Sequence, residues 1–295
     1  MIPTGNITVI GRIWTDKEGN SAMNRGIAEI IQMMSQNFER DISMFDKSFL
    51  EKSIDKRISA LSLKSMQDYF NYLDDSTIEA NQLCESLTIT YSEFFRSPLS
   101  FAILEQWILP KIMEDKAGTS EIRIWSAGCA SGQEAYSVAM LLDKLIAFRT
   151  NETRFRVIGS DISEEALAAS QKGLYDAASM RNVSLSNLEA YFTKHGEIYA
   201  ISPKIKSQVI FTYYDLLSQA NDYPQESIFG DFDLVFCSNL LFYYSPEKRK
   251  FIIDKIMRSL APNGYLITGE AEKHFLQKQK GLKEIAPPSS VFQKK

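Results

Sequence analysis

Residues 122–142 read IRIWSAGCASGQEAYSVAMLL. A short apolar run, Ile122, Ile124 and Trp125, stops at Ala127-Gly128. A small-residue loop leads to Gly132, and an acidic-then-apolar helical pattern opens at Gln133-Glu134. Strand, glycine loop and helix in that order build a nucleotide-type pocket at the carboxyl end of a parallel strand. The glycines sit as G-x-x-x-G, without the dinucleotide spacing and without the Lys-Ser/Thr of a phosphate-binding loop. The implied ligand is nucleoside-like and lacks a phosphate tail, a description that S-adenosylmethionine fits. Gly128 and Gly132 read as the cofactor loop, with plain turn glycines as the alternative. Glu134 is either a ligand contact at the pocket mouth or a first-turn acid favoured by the helix dipole.

Outward from this segment, strand and helix alternate, the mark of a doubly wound parallel sheet. Strands are expected at 121–127, 154–160, 207–213, 232–238 and 264–269, with helices at 133–148, 163–172 and 246–260. Residues 173–206 break the alternation. Ser186 and Glu189 suggest a capped helix there, and HGEIYAISPKI a short hairpin, so a small antiparallel insert is expected at about residues 176–206.

The region before the sheet is helical in pattern. Ile27, Ile30, Ile31, Met34 and Phe38 share one face. A second helix carries Phe49, Leu50, Ile54 and Ile58, and a third carries Met66, Tyr69, Phe70 and Leu73. Ser76 with Glu79 reads as a capping box opening a fourth, with Ile78, Leu83 and Leu87 inward. The expected organisation is a loosely held segment 1–21, a helical domain 22–88, a linker and connecting helix 89–120, and an α/β domain 121–295.

A net charge of −4 gives no support for nucleic-acid binding driven by overall charge. No apolar run approaches the roughly 18–20 residues that cross a bilayer, so no membrane insertion is expected. The N-terminus lacks the layout of a signal peptide. Cys84, Cys129 and Cys237 are far apart with no C-x-x-C pair, which argues against a disulfide framework and a structural metal and for a reducing cytoplasm.

Asp161 closes the second strand, where an acid can accept from both ribose hydroxyls of a nucleoside. It also reads as a capping box with Glu164, and the two roles are compatible. FDLVFCSNLLFYY (232–244) is an apolar strand ending at Ser238-Asn239, at the edge of the same crevice, followed by Phe242, Tyr243 and Tyr244. The alternative is a strand-to-helix turn with Asn as turn former. YSEFFRSP (91–98) places Arg96 beside paired phenylalanines at the domain junction, as a surface charge or as a ligand for a carboxylate.

The stretch from Ile42 to Glu272 resembles the chemotaxis-receptor methyltransferase family known as CheR. The pieces that carry the resemblance are LTITYSEFFR (87–96), IRIWSAGCASGQEAYSVAM (122–140), SDISEEALAASQKGLY (160–175), YYDLL (213–217), FDLVFCSNLLFYY (232–244) and LAPNGYLITGEAE (260–272). It implies an all-helical N-terminal domain joined to a Rossmann-like, S-adenosylmethionine-dependent methyltransferase sheet with a small β insert. It also implies glutamate methyl ester formation on the cytoplasmic domain of methyl-accepting chemoreceptors, leaving S-adenosylhomocysteine, by a cytoplasmic monomer.

Position by position, Thr90, Ser92 and Arg96 match the family's cofactor-contacting run, Glu134 the acid after the glycine loop, and Asp161 the ribose-binding acid. Asp215 with Leu216 matches the pair flanking the adenine, usually Asn-Leu. Ser238 and Asn239 match an Arg-Asn pair, and Tyr243 the aromatic hydroxyl near the transferred methyl. Arg96 and Tyr243 are the residues expected at the reacting centre.

The departures bear on the substrate. Ser238 replaces an arginine, Asp215 an asparagine, Ser97 an aspartate, and Gly269-Glu270-Ala271-Glu272 stands for Gly-His-Ser-Glu. The helix that resembles the receptor-docking one mixes Lys52, Lys56 and Arg57 with Glu51 and Asp55. The insert is short around His195-Gly196, which points to an enzyme independent of a receptor tether peptide.

The residue set suits an acceptor that needs no base. A glutamate, with a pKa of about 4.3, is already ionised at neutral pH. His195 and His274 are the only histidines and lie in no recognised motif. Phe94, Phe95 and Tyr243 are the expected aromatic frame that excludes water from the reaction. Two rival readings stay open: the same chemistry on a different protein or a small carboxylate, and a non-catalytic cofactor-binding regulatory module.

Overall fold

The computed structural model describes residues 17–116, 121–147, 153–227 and 230–295. The backbone divides between Leu87 and Thr88 into two compact units. The first is all-helical: α1 (Lys17–Phe38), α2 (Lys47–Ala60), α3 (Met66–Asp74) and α4 (Thr77–Leu87). Residues 1–16 of the segment expected to be loosely held lie outside the described residues; the remainder begins α1. Asp46 and Ser65 cap α2 and α3 by accepting from backbone N–H groups one turn on.

Ile30, Met34, Leu50, Ile54, Tyr69, Leu73 and Leu83 are fully buried and form the core of this unit. Each buried aliphatic side chain contributes about 1.5–3 kcal/mol relative to exposure. The box expected at Ser76 and Glu79 is half realised. Ser76 Oγ accepts from Glu79 N at 3.1 Å, but the Glu79 side chain turns inward. Its carboxylate takes a bidentate pair from Arg57 at 2.6 and 2.8 Å and a bond from Tyr69 at 2.9 Å. Ile78 is 78% exposed rather than inward, because the buried face of α4 runs through Glu79, Ala80, Leu83 and Leu87.

The second unit opens with α5 (Pro98–Ile103), a wide turn at Leu104–Ile108, and α6 (Leu109–Asp115). Pro110 has no N–H for the usual ladder, and Leu109 N reaches back to Leu104 O instead. Then β1 (Ile122–Ala127), α7 (Gln133–Ala147), β2 (Phe155–Asp161) and α8 (Glu164–Lys172) follow. The insert holds β3 (Leu174–Asp176), α9 (Leu185–Tyr191), β4 (Phe192–His195) and β5 (Ile198–Ile201). The chain returns through α10 (Pro203–Lys206), β6 (Val209–Tyr213), β7 (Phe232–Cys237), α11 (Pro246–Ser259) and β8 (Leu260–Thr268). It ends with α12 (Lys273–Leu276), β9 (Leu282–Ile285) and β10 (Val291–Lys294).

The main sheet has the order β6-β2-β1-β7-β8-β10-β9. The first five strands are parallel, and β10 joins β8 and β9 antiparallel, an edge the sequence did not announce. The insert is a separate antiparallel sheet, β3-β5-β4. Two caps differ from expectation. Ser184, not Ser186, opens α9 by accepting from Asn187 N. Ser163, not Asp161, opens α8, accepting from Ala166 N. This α/β, Rossmann-like arrangement brings the ends of β1, β2, β7 and β8 to one edge, where ligands of such sheets bind.

Candidate active site

The loop after β1 is built by backbone. Gly128 and Gly132 have φ of 75° and 87°, in the left-handed region that favours glycine. Gly128 N and Cys129 N both donate to Ser160 O, at 2.8 and 2.9 Å, tying the loop to the end of β2. A Cβ at Gly132 would come 2.7 Å from Ser170 Cβ and 2.8 Å from Phe211 Cζ, so packing alone requires glycine there. Asp161 completes the loop: Oδ2 accepts from Ala130 N at 2.8 Å and Oδ1 from Ser163 N at 2.9 Å. Burial raises its pKa against the pull of those N–H groups. Each oxygen keeps a second lone pair for a further donor.

Glu134, in the first turn of α7, accepts from Ser126 Oγ at 2.7 Å, and the Ser238 hydroxyl is near enough to favour its ionised form. Burial pushes its pKa up to about 7, against the pull of those two hydroxyls and Arg96, while the charge on Glu272 adds to the rise. Serine at 238 thus leaves Glu134 with hydroxyl partners where an arginine would bring a cation. Beside it, Gln133 Oε1 is buried without a hydrogen-bond partner, an acceptor left open at the start of α7.

A cavity of about 350 Å³ lies at the carboxyl ends of β7 and β8. Its polar lining includes Arg96, Glu134, Ser238, Asn239, Thr268 and Glu270, and its apolar wall Phe101, Phe236 and Ile267. Arg96 is aimed there by its neighbours. Phe94 is fully buried and packs edge-on against Tyr175 and Phe192 of the insert, at 4.9 and 5.4 Å. Phe95, at φ 50°, packs the other way on Phe101, with its N–H on Ser137 Oγ at 3.1 Å. The aromatic wall is therefore Phe101 and Phe236, not the expected frame of Phe94, Phe95 and Tyr243.

Other expected residues are not part of this cavity's lining. Tyr243 sits in the short turn Leu241–Tyr243 after β7, its ring 4.2 Å from that of Phe242. Burial raises its pKa, Arg96 lowers it and Glu272 raises it, so all three share one electrostatic neighbourhood. Thr90 touches the glycine loop through its carbonyl, which accepts from Ser131 Oγ at 3.3 Å. Ser92 lines a separate pocket of about 190 Å³ with Glu93, Asp176 and Arg181. Asp215 Oδ1 accepts from Leu217 N at 2.8 Å, and Leu216 is buried beside it. Neither histidine lines the cavity, and the described residues hold no cluster suited to a metal ion.

The sequence reading gave no role to Ser126 or Glu272. Glu272 is fully buried and accepts from Asn239 N, Leu241 N and Gly269 N, joining the ends of β7 and β8. The available signal was an acid within the short run GEAE after an apolar strand, but its donors lie up to 33 residues away.

Residues 90–289 match the family described as CheR methyltransferase, SAM binding domain. The chain is 27% identical over 266 residues to a chemotaxis protein methyltransferase of Borreliella burgdorferi, covering 88% of this chain and 92% of that one. It is 28% identical over 239 residues to one of Listeria monocytogenes, covering 80% and 86%. It is 34% identical over 192 residues to chemotaxis protein methyltransferase 1 of Pseudomonas aeruginosa, covering 64% and 68%.

Proposed function

The chain belongs to the CheR family of S-adenosylmethionine-dependent methyltransferases, and on that footing we propose that it forms methyl esters on glutamate side chains of chemoreceptor cytoplasmic helices. The observation that carries this reading is one cavity faced by both Arg96 and Glu134 and walled by Phe101, Phe236 and Ile267. The donor set fits the cofactor: Glu134 can accept from an ammonium, Arg96 can donate to a carboxylate, and Asp161 can accept from ribose hydroxyls. Asp215 and Leu216 would flank the base, and Thr90, whose carbonyl meets the glycine loop, would extend the contact run. When bound, S-adenosylmethionine supplies a methyl group on a cationic sulfur and leaves as a neutral thioether.

The residues then do little acid-base work. A glutamate acceptor is ionised at neutral pH, its pKa being about 4.3, so neither Glu134 nor Glu270 in the cavity lining is needed as a base. Two opposite charges vanish in the reaction, so the apolar wall favours it by keeping water from the separated ions. Tyr243 donates a hydrogen bond that holds the acceptor carboxylate. Its phenol is protonated, and therefore a donor, through the neutral range, and burial raises its pKa further. Arg96 orients the charged partners without gripping the attacking oxygen. Alignment of this kind contributes about 7–11 kcal/mol in well-oriented systems.

A second reading keeps the chemistry and changes the acceptor protein. Arg57 is committed to Glu79 inside the helical unit, which leaves Lys52 and Lys56 exposed on α2 beside the exposed Asp55. That surface is less basic than its composition suggests. Among the described residues no helix is long and apolar enough to cross a membrane.

The test is direct. Receptor-bearing membranes incubated with methyl-labelled S-adenosylmethionine and this protein should release labelled methanol under alkali. Alkali-labile label on another protein instead would favour the second reading. Cofactor binding without transfer to any acceptor would overturn both.

A further inference from the structure

The buried carboxylate of Glu272 does more than end a strand. Oε2 accepts from Asn239 N (2.7 Å), Gly269 N (3.0 Å) and Thr268 Oγ1 (3.0 Å), and Oε1 from Leu241 N (2.5 Å) and Phe242 N (3.4 Å). None of the five donors is a cation. A fully buried charge would cost several kcal/mol unpaired, and here converging backbone dipoles offset that penalty, as in an anion nest. Three of the N–H groups belong to the segment 239–242, which links the end of β7 to Tyr243.

The grip sets backbone conformation. Asn239 lies at φ 59°, in the left-handed region that asparagine tolerates better than most residues, and its N–H is held there by Glu272 Oε2. The opposing strand is shaped to match. A Cβ on Gly269 would come 2.8 Å from Asn239 Nδ2, 2.9 Å from Glu272 Oε2 and 3.0 Å from Asn239 N. Ser238 and Asn239 on one side and Thr268 and Gly269 on the other all line the cavity. One side chain therefore fixes the spacing across its floor.

We infer that Glu272 is a positioning residue for methyl transfer, its carboxylate holding residues 239–242 so that Asn239 and Tyr243 face the reacting atoms. The inference rests on the methyl-transfer reading of this cavity. Glutamine at 272 has one acceptor oxygen in place of two, so at least one side of the grip opens.

Two measurements on the full chain test it. The first is amide hydrogen exchange without cofactor. Glu272→Gln should lower protection of the Asn239 and Leu241 amides tenfold or more and leave Trp125 and Val157 unchanged. Unchanged protection at 239 and 241 would overturn the inference whatever the activity, whereas a wild-type chain with no turnover overturns the functional reading instead.

The second is a double-mutant cycle on turnover. Glu272→Gln should lower kcat tenfold or more with KM for the acceptor within about threefold. In a Tyr243→Phe background the same change should cost less than twofold. An equal cost in both backgrounds would mark Glu272 as a general stabiliser and reject the positioning role. If Glu272→Gln does not fold, Thr268→Val removes a single donor and should lower kcat about threefold, with the same loss of additivity; full activity there would also overturn the inference.

Discussion

Two glycines at the edge of the sheet, Gly132 and Gly269, are both closed to any side chain, for different reasons. Gly132 has a left-handed backbone, and its missing Cβ would strike Ser170 and Phe211, part of the packing between α8 and β6. Gly269 has an ordinary φ of −68°, and its missing Cβ would strike the Asn239 amide and the Glu272 carboxylate. At Gly132 the loop is thus closed by local geometry and hydrocarbon contact, beside the hydrogen bonds that Ser160 O and Asp161 accept from it. The rim after β7 is held by one charged group. The first kind of support protects the fold, and the second sets the placement of reacting groups.

The largest expected effect separates these two. Gly132→Ala should destabilise by about 2–4 kcal/mol, from overpacking plus backbone strain, lowering Tm in calorimetry more than any rim substitution. Next, Asp161→Ala removes an ionised acceptor and should weaken S-adenosylhomocysteine binding by about 1.5–3 kcal/mol in titration calorimetry. Tyr243→Phe should lower kcat about tenfold, corresponding to about 1.4 kcal/mol, with product affinity and Tm unchanged. Gly269→Ala would sharpen the contrast: its loss should appear chiefly in kcat, whereas that of Gly132→Ala appears chiefly in Tm. The reverse pattern would break the comparison.

The last effect, comparable in size with those at Asp161 and Tyr243, is a pH dependence. Glu134 rises from an ordinary 4.5 to about 7, through burial first. A carboxyl with a raised folded-state pKa binds protons more tightly when folded, so the cofactor-free protein loses stability as pH climbs from about 4.5 through about 7. The full rise corresponds to about 3 kcal/mol, and partial solvent access brings the expected change to about 1–3 kcal/mol. Glu134→Gln should flatten the plot of Tm against pH between 5 and 8. Cofactor affinity should run the other way in the wild type, strengthening as Glu134 ionises, and that trend should vanish in the variant.

Much of the sheet was readable because its signals are local. The strands at 122–127, 155–161 and 232–237 are apolar runs ended by a glycine, an acid and a serine-asparagine pair, and their observed ends lie within about a residue of expectation. Where two residues satisfied one local rule, the choice fell to context. Ser184 and Ser186 both precede α9, and the chain uses the first. Glu79 fits a capping pattern, yet its carboxylate meets Arg57, 22 residues away, with more to gain from a bidentate pair inside the core. The final hairpin, LKEI and VFQK, is too short to announce strands, and β10 exists because β8 offers it an open edge. Gly128, Gly132, Glu134 and Asp161 were readable from the strand-loop-helix pattern and Thr90, Ser92, Asp215 and Leu216 only from a resemblance, while their distribution over a cavity, a second pocket and a glycine loop required coordinates.

The hydroxyl of Tyr175, on the first strand of the insert, donates to Ser131 O in the glycine loop at 2.8 Å, and its ring receives Phe94. The three-stranded sheet is therefore fastened into the catalytic body and is no detachable cassette. Anyone grafting a foreign recognition module onto this scaffold would have to carry over that tyrosine and its aromatic socket. Without them, a change of address label would also loosen the glycine loop after β1.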